Sequence, residues 1–319
     1  MLLETVCLLS VFFILYQLLI WKRKKNYRVP DLSNKVAIVT GASRGIGKGI
    51  AIGLAEGGAT IYITGRSKDK VSKFGTSLQD TADAINRAGG VAHMIECDHF
   101  EDDQIISMID EVFKREGRVD VLVNNVFFVP EGRWTMPFWE QKMGYWDPTF
   151  AVGLRCHYLA SCYAAEKMVE AKSGLIVNIS SCGAKYYMYN PAYGAGKAAL
   201  DKMSIDMGKD LDQHNVASIS LWPGIVKTEY ILHKKESIRR IWGIDVEKLG
   251  EDPLFSGRAV ASLIDDKSYM RWNKKVKHVA ELAEYYGFRD TDGSLPPPTY
   301  GIRFFLSYAW YRLLAKLGF

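Results

Sequence analysis

Short apolar runs alternate with longer amphipathic stretches along most of this chain. Val36 to Thr40 is a β-branched apolar run, Thr60 to Thr64 a second, and Val91 to Glu96 a third. Val119 to Val123, Leu175 to Ile179 and Ala217 to Trp222 follow the same pattern. Between them, apolar residues recur at helical spacing, as in Ile46 to Glu56 and Gln104 to Glu116. Apolar strands that alternate with helices predict an α/β fold: a doubly wound parallel sheet with helices on both faces. No repeat and no linker interrupts residues 32–293, so they read as one domain.

The two ends of the chain break this pattern. Residues 5–21 carry no charge and only one strongly polar side chain, Gln17. As a helix, that run would span about 26 Å, enough for a thin bilayer. Lys22, Arg23, Lys24 and Lys25 follow it at once, whereas a cleaved signal peptide places its cations first. Residues 1–25 are therefore expected to form a membrane anchor with a basic flank, and the positive-inside rule puts the body in the cytoplasm. The endoplasmic reticulum, a thin bilayer, is the expected membrane. The alternative is a peripheral or buried apolar helix. At the other end, Pro296-Pro297-Pro298 opens a linker, and residues 300–319 mix aromatics with Arg303, Arg312 and Lys316. Residues 294–319 thus read as a Pro-rich linker and an amphipathic segment. It would lie at a membrane surface or dock on this domain or a second subunit.

Composition narrows the functional classes. The net charge of +5 owes most of its excess to the one basic run, so no nucleic-acid footprint is seen. Five cysteines at irregular spacing match no metal pattern, and no metal site is expected.

The chemistry begins at Thr40-Gly41-Ala42-Ser43-Arg44-Gly45-Ile46-Gly47, between the first strand and the first helix. Glycines there let the backbone turn tightly and approach a pyrophosphate, whose charge the helix N-terminus favours. The turn resembles T-G-x-x-x-G-I-G of the short-chain dehydrogenase/reductase family, a Rossmann-type fold. The resemblance extends from about Lys35 to Gly293 and implies an oxidoreductase. Gly41, Ser43, Arg44, Gly45, Ile46 and Gly47 become candidate cofactor residues. The second strand ends Gly65-Arg66, where an NAD enzyme would place an acid for the ribose hydroxyl. A guanidinium can instead bind a 2′-phosphate bidentately, so Arg44 and Arg66 point to NADPH. By resemblance, Asp98 contacts the adenine. Asn124 and Asn125 stand where the family reads N-N-A-G; they would pin the sheet and border the cofactor, but Val126-Phe127 replaces the Ala-Gly.

Tyr193-Gly194-Ala195-Gly196-Lys197 is similar to the family's Y-x-x-x-K. Four residues along a helix put both side chains on one face. A neighbouring ammonium should lower the tyrosine pKa and ready it for proton exchange. The resemblance makes Tyr193 the general acid/base and gives Lys197 a second role on the nicotinamide ribose. A serine should orient the carbonyl: the strand register through Ile179 favours Ser181, whereas counting back from Tyr193 gives Ser180. Gly153 stands where the family carries an asparagine implied to hold a water beside the lysine. Pro223-Gly224-Ile225-Val226-Lys227-Thr228 matches P-G-x-V-x-T, which implies Ile225 and Val226 at the carboxamide and Thr228 at the nicotinamide.

Aromatic residues crowd the loops around these motifs: Phe127, Phe128, Trp134, Phe138, Trp139, Tyr145 and Trp146, then Tyr186, Tyr187, Met188 and Tyr189. Tyr230, Ile231 and Leu232 follow Thr228. Such walls suit a lipophilic carbonyl substrate: a steroid, retinoid, lipid-derived or xenobiotic ketone or aldehyde. Two alternatives remain: a non-catalytic nucleotide-binding scaffold, motivated by Gly153 and Val126-Phe127, and an NAD-linked alcohol dehydrogenase. The family also implies a homodimer.

Overall fold

The computed structural model describes residues 27–68, 74–129, 136–141 and 143–298. Residues 5–21 and 300–319, for which membrane contacts are expected, lie outside them, as does Trp134. Among the described residues, no helix is long and apolar enough to cross a membrane.

Seven strands form one parallel sheet in the order β3-β2-β1-β4-β5-β6-β7. They are β1 (Val36–Val39), β2 (Thr60–Gly65), β3 (Val91–Glu96), β4 (Val121–Asn124), β5 (Gly174–Ile179), β6 (Val216–Trp222) and β7 (Lys275–His278). The first six coincide with the apolar runs to within two residues at each end. The seventh is an addition. Its Lys-Val-Lys-His sequence sits at the sheet edge, where one side of the ladder needs no partner and lysines deter further pairing.

Alternate residues of each strand face opposite layers. Ala37 and Val39 join Ile61, Ile63, Val121 and Val123 on one face, while Val36 and Ile38 join Tyr62 and Leu122 on the other. The first face is covered by α1 (Gly45–Ala55) and α2 (Leu78–Ala88). The opposite face takes α3 (Asp102–Glu116). Further along the chain come α4 (Met143–Phe150), α5 (Cys156–Ala171), and the long α6 (Pro191–Leu211). Three short helices follow Thr228: α7 (Glu229–His233), α8 (Lys235–Trp242) and α9 (Val246–Leu249). The last are α10 (Pro253–Asp265) and α11 (Val279–Tyr286), which return to the first face.

Contact between α1 and α10 is backbone against backbone. A Cβ on Gly53 would fall 2.5 Å from Gly257 C, and one on Gly257 would fall 2.3 Å from Gly49 O. No side chain fits there, so these glycines set how near α1 lies to the rest of the core. Residues 151–155 form one π-helical turn between α4 and α5, and Gly153 lies in it. Such turns redirect one side of a helix and recur at functional sites.

Candidate active site

The carboxyl ends of the central strands open on a cavity of about 1000 Å³. Ligands in open α/β sheets bind at this edge. At its nucleotide end, Gly41 and Gly45 have φ of +64° and +57°, the left-handed region that favours glycine. Thr40 secures the turn: its Oγ1 accepts from the backbone N–H of Asn125 (2.9 Å) and of Val126 (3.1 Å). Asn125 Nδ2 donates back to the carbonyls of Thr40 (2.8 Å) and Gly41 (3.1 Å). Gly41, Ser43, Arg44, Gly45, Ile46, Arg66, Asp98 and Asn125 all line the cavity.

Two expected cofactor residues do not line it. Asn124 is fully buried and donates through Nδ2 to Asn178 Oδ1 and Ser161 Oγ, each at 2.9 Å. It pins β4 to β5 and α5 rather than bordering a ligand. Gly47 faces the turn itself: a Cβ there would lie 2.4 Å from Asn125 Nδ2 and 2.6 Å from Gly41 O. Its role is close packing of the helix start against the turn.

Arg44 and Arg66 share this end of the cavity. The Arg44 guanidinium lies 5.5 Å from the Phe74 ring centre, and burial holds its pKa below the usual value. A carboxylate also reaches in, which the sequence reading missed. Glu229 Oε2 accepts from the Gly45 N–H at 2.9 Å, at the start of α1. Beyond β3, Asp98 is held by Gln104, whose Oε1 accepts from its N–H at 2.8 Å. His99 Nε2 lies 2.9 Å from Thr64 Oγ1, and burial pushes its pKa down to about 4, so the ring is neutral near pH 7.

At the catalytic end, α6 delivers two of the three expected residues. Asn190 caps it, its side chain accepting from the Tyr193 N–H at 2.9 Å, and Pro191 supplies the first helical turn. Tyr193 therefore stands in the first turn and Lys197 one turn later. Ser181 Oγ lies 2.8 Å from Tyr193 Oη. Ser180 turns away: its Oγ donates to the Lys197 carbonyl at 3.3 Å. The strand-register count thus leads to the serine that meets the tyrosine. Lys197 Nζ donates to the Ile179 carbonyl at 2.9 Å and sits 5.9 Å from the Tyr193 ring centre.

The electrostatics differ from the simple expectation that Lys197 lowers the Tyr193 pKa. Burial pushes Tyr193 upward, Tyr189 adds to the rise, and the Ser181 hydrogen bond opposes it. Burial also pushes Lys197 down to about 8, against the pull of Asp201. A dry site favours the neutral form of both groups. Tyr193 accordingly holds its proton near pH 7, the state needed in a proton donor.

Ile225, Val226 and Thr228 also line the cavity. Buried Glu251 braces their loop. Its Oε1 accepts from the Gly224 N–H at 2.9 Å, and its backbone pairs with Ile225 and Lys227. Burial raises its carboxyl pKa to about 8.

Of the aromatic residues, Phe127, Phe128, Tyr186, Tyr189 and Tyr230 line the cavity, with Met188 and Ile231. Phe138, Trp139, Trp146 and Tyr187 do not; they are exposed on the surface. Tyr145 and Leu232 also lie off the cavity wall. Loop composition alone could not separate the two sets. Tyr189 adopts φ +61°, rare for an aromatic residue, and directs its ring edge-on to Tyr193 at 5.0 Å. Among the described residues no cysteines pair as a disulfide: Cys97, Cys156 and Cys182 are buried and Cys162 is exposed. No three His, Cys, Asp or Glu residues cluster to hold a metal among the described residues.

Fold, glycine turn and the Ser181–Tyr193–Lys197 cluster define a dinucleotide-dependent oxidoreductase scaffold, and comparison with known proteins specifies which. The short chain dehydrogenase family model matches residues 35–238, and the chain belongs to the short-chain dehydrogenase/reductase family. It is 38% identical over 284 residues to mouse dehydrogenase/reductase SDR family member 1, covering 83% of this chain and 86% of that protein. The human protein of that name is also 38% identical, over 281 residues, with 82% and 85% covered. Among solved structures, a metagenomic short-chain oxidoreductase in complex with NADP superimposes with a TM-score of 0.62 at 31% identity. That match covers 78% of this chain and 98% of the other.

Proposed function

We propose that the protein is an NADPH-dependent reductase of lipophilic carbonyl compounds, with Tyr193 as general acid. The observation that carries this reading is the 2.8 Å contact between Ser181 Oγ and a protonated, buried Tyr193, in one cavity with the glycine turn and Arg44 and Arg66. The residues present suit a phosphorylated dinucleotide. Left-handed glycines clear the backbone at the helix start, and the two guanidiniums that line the same cavity would supply charge to a 2′-phosphate. The NADP complex of the metagenomic relative supports the same choice. Ile225, Val226 and Thr228 would hold the nicotinamide end, and Lys197 its ribose.

NADPH would supply the hydride to the carbonyl carbon. Ser181 then orients the carbonyl oxygen, and Tyr193 gives it the phenolic proton. Positive charge on Lys197 offsets the phenolate left behind. The apolar wall of Phe127, Phe128, Tyr186, Met188, Tyr189 and Ile231 suits a steroid, retinoid, lipid-derived or xenobiotic ketone or aldehyde. Residues 5–21 would anchor the protein in the endoplasmic reticulum membrane with the catalytic body on the cytoplasmic side. Such a substrate could then arrive from the bilayer. Residues 300–319 would rest on the same surface, and the body would pair as a homodimer.

A panel of lipophilic ketones and aldehydes with NADPH tests the reading. Wild-type protein should oxidise NADPH with at least one of them. Tyr193→Phe, which keeps the ring and removes the proton, should lower kcat by about 10²–10⁴-fold. Equal turnover by the two proteins would show that the chemistry lies elsewhere. Binding of NADPH with no turnover of any carbonyl would favour a nucleotide-binding scaffold.

A further inference from the structure

The surroundings of Lys197 contain a feature that neither the glycine turn nor the Ser181–Tyr193 pair explains. Its ammonium is buried, and its hydrogen bond among the described residues runs to one backbone carbonyl, that of Ile179. The carboxylate that acts on it, Asp201, is already engaged: Asp201 Oδ1 accepts from Ser220 Oγ at 2.6 Å and from Trp222 Nε1 at 3.0 Å. What faces the ammonium instead is an aromatic ring. Lys197 Nζ lies 4.9 Å from the ring centre of Phe127, within the range at which a ring face attracts a cation. The same ring meets Tyr193 edge-on, with centres 5.7 Å apart and planes at 90°. One side chain thus touches both members of the proton-transferring pair.

Gly153 makes room for it. A Cβ at that position would come 3.1 Å from two carbons of the Phe127 ring, Cδ2 and Cε2. Gly153 does not have a positive φ, so no backbone conformation demands glycine. It is also buried in the π-helical turn that precedes α5. Clearance for the ring is the physical reason left for a missing side chain there.

We propose that Phe127 is a positioning residue for the reaction: its ring holds the Lys197 ammonium through a cation–π contact and fixes the Tyr193 ring, and Gly153 provides the space it needs. The carbonyl of Ile179 alone cannot replace lost hydration around a buried ammonium. A ring face supplies attraction without bringing in water or a competing carboxylate. The groups that face Lys197 are few. Tyr193 and Asp201 lie on its own helix, Cys156 and His157 on α5, and the Ile179 carbonyl at the end of β5. His157 is fully buried, and burial holds it neutral, so it adds no fixed charge near pH 7.

This proposal rests on the reductase reading, and its test keeps the two separable. Full-length protein is compared as wild type, Phe127→Leu, Phe127→Tyr and Gly153→Ala, each checked for an unchanged melting temperature. Trace acetylation of Lys197 by acetic anhydride across pH, read by mass spectrometry, follows the lysine without any turnover. The wild-type midpoint should lie near pH 8, and Phe127→Leu should lower it by about one unit. With a ketone that the wild type reduces, Phe127→Leu should lower kcat roughly tenfold with little change in KM. Phe127→Tyr, which keeps the ring, should recover most of both effects. Gly153→Ala should cost several-fold in wild type but little in the Phe127→Leu background, because the ring it displaces is already gone. An unchanged Lys197 midpoint in Phe127→Leu would overturn the proposal, whether or not any ketone is reduced. Equal losses for Gly153→Ala in both backgrounds would overturn the part assigned to Gly153. Absence of NADPH oxidation in the wild type would count against the reductase reading alone, since the acetylation profile still decides the role of Phe127.

Discussion

The two ends of the cavity are built in different ways. At the nucleotide end, a single strand–turn–helix segment provides Gly41, Ser43, Arg44, Gly45 and Ile46, while Arg66, Asp98, Asn125 and Glu229 join it from other turns. The residues of that one segment are close in sequence, and its left-handed glycines are local requirements. At the catalytic end, Ser181, Tyr193, Lys197 and Phe127 come from separate segments: the loop after β5, α6 and the turn after β4. Their relation depends on sheet register and helix placement. The nucleotide end is polar and charged; the catalytic end is dry enough to move the pKa of both Tyr193 and Lys197. Charge recognises the phosphates, whereas exclusion of water sets the protonation state of the acid.

That contrast can be broken one end at a time. Beyond the Tyr193→Phe loss, the largest effect belongs to Arg66→Ala. It should weaken NADPH binding by about 10–100-fold and leave NADH nearly unchanged, as the loss of a charge-assisted phosphate contact implies. Fluorescence titration with each cofactor checks it, and equal weakening of both would refute a 2′-phosphate role for Arg66. A smaller effect should appear at the dry end as pH rises. Lys197 is charged below about pH 8 and loses its proton above it. If reduction needs that charge, kcat/KM for the carbonyl should fall about tenfold per pH unit beyond this point. A flat profile to pH 10 would show that the ammonium is dispensable. The smallest effect should come from Glu229→Gln. Its carboxylate reaches the Gly45 N–H in the same cleft that must accept the cofactor phosphates. Removing that charge should tighten NADPH binding by a few-fold, and weaker binding would instead make Glu229 a support for the turn.

The difference also explains which parts of the site could be read in advance. Six strands were legible; for β1, β2, β4, β5 and β6 the reason is that buried parallel strands are continuous apolar runs, while β3, at the other edge, is only partly buried. The edge strand β7 was not, since an edge tolerates lysine. Asn190-Pro191 carried a helix-start signal that would have placed Tyr193 in the first turn of α6. The motif implies that Asn124 both pins the sheet and borders the cofactor; its Nδ2 does the pinning, through Asn178 on β5 and Ser161 on α5, while the residue stands off the cavity wall. Among the aromatic residues, no periodicity distinguishes Phe127, on the cavity wall, from Trp139, exposed at 74%.

Sequence alone determined the α/β class, the parallel sheet implied by alternation and the glycine turn, and the resemblance to the family singled out the tyrosine, lysine and arginine candidates. Alternation and turn follow from local periods and φ requirements written within a few neighbouring positions; the candidates follow from the order of motifs along the chain. Tertiary structure alone decided that Ser181 rather than Ser180 meets Tyr193, that α1 and α10 touch through glycines, and that Phe127 occupies the space Gly153 leaves beside Lys197. These relations join residues from different strands and helices. Packing fixes them at distances of a few ångströms, and the pattern of neighbours along a single chain does not encode those distances.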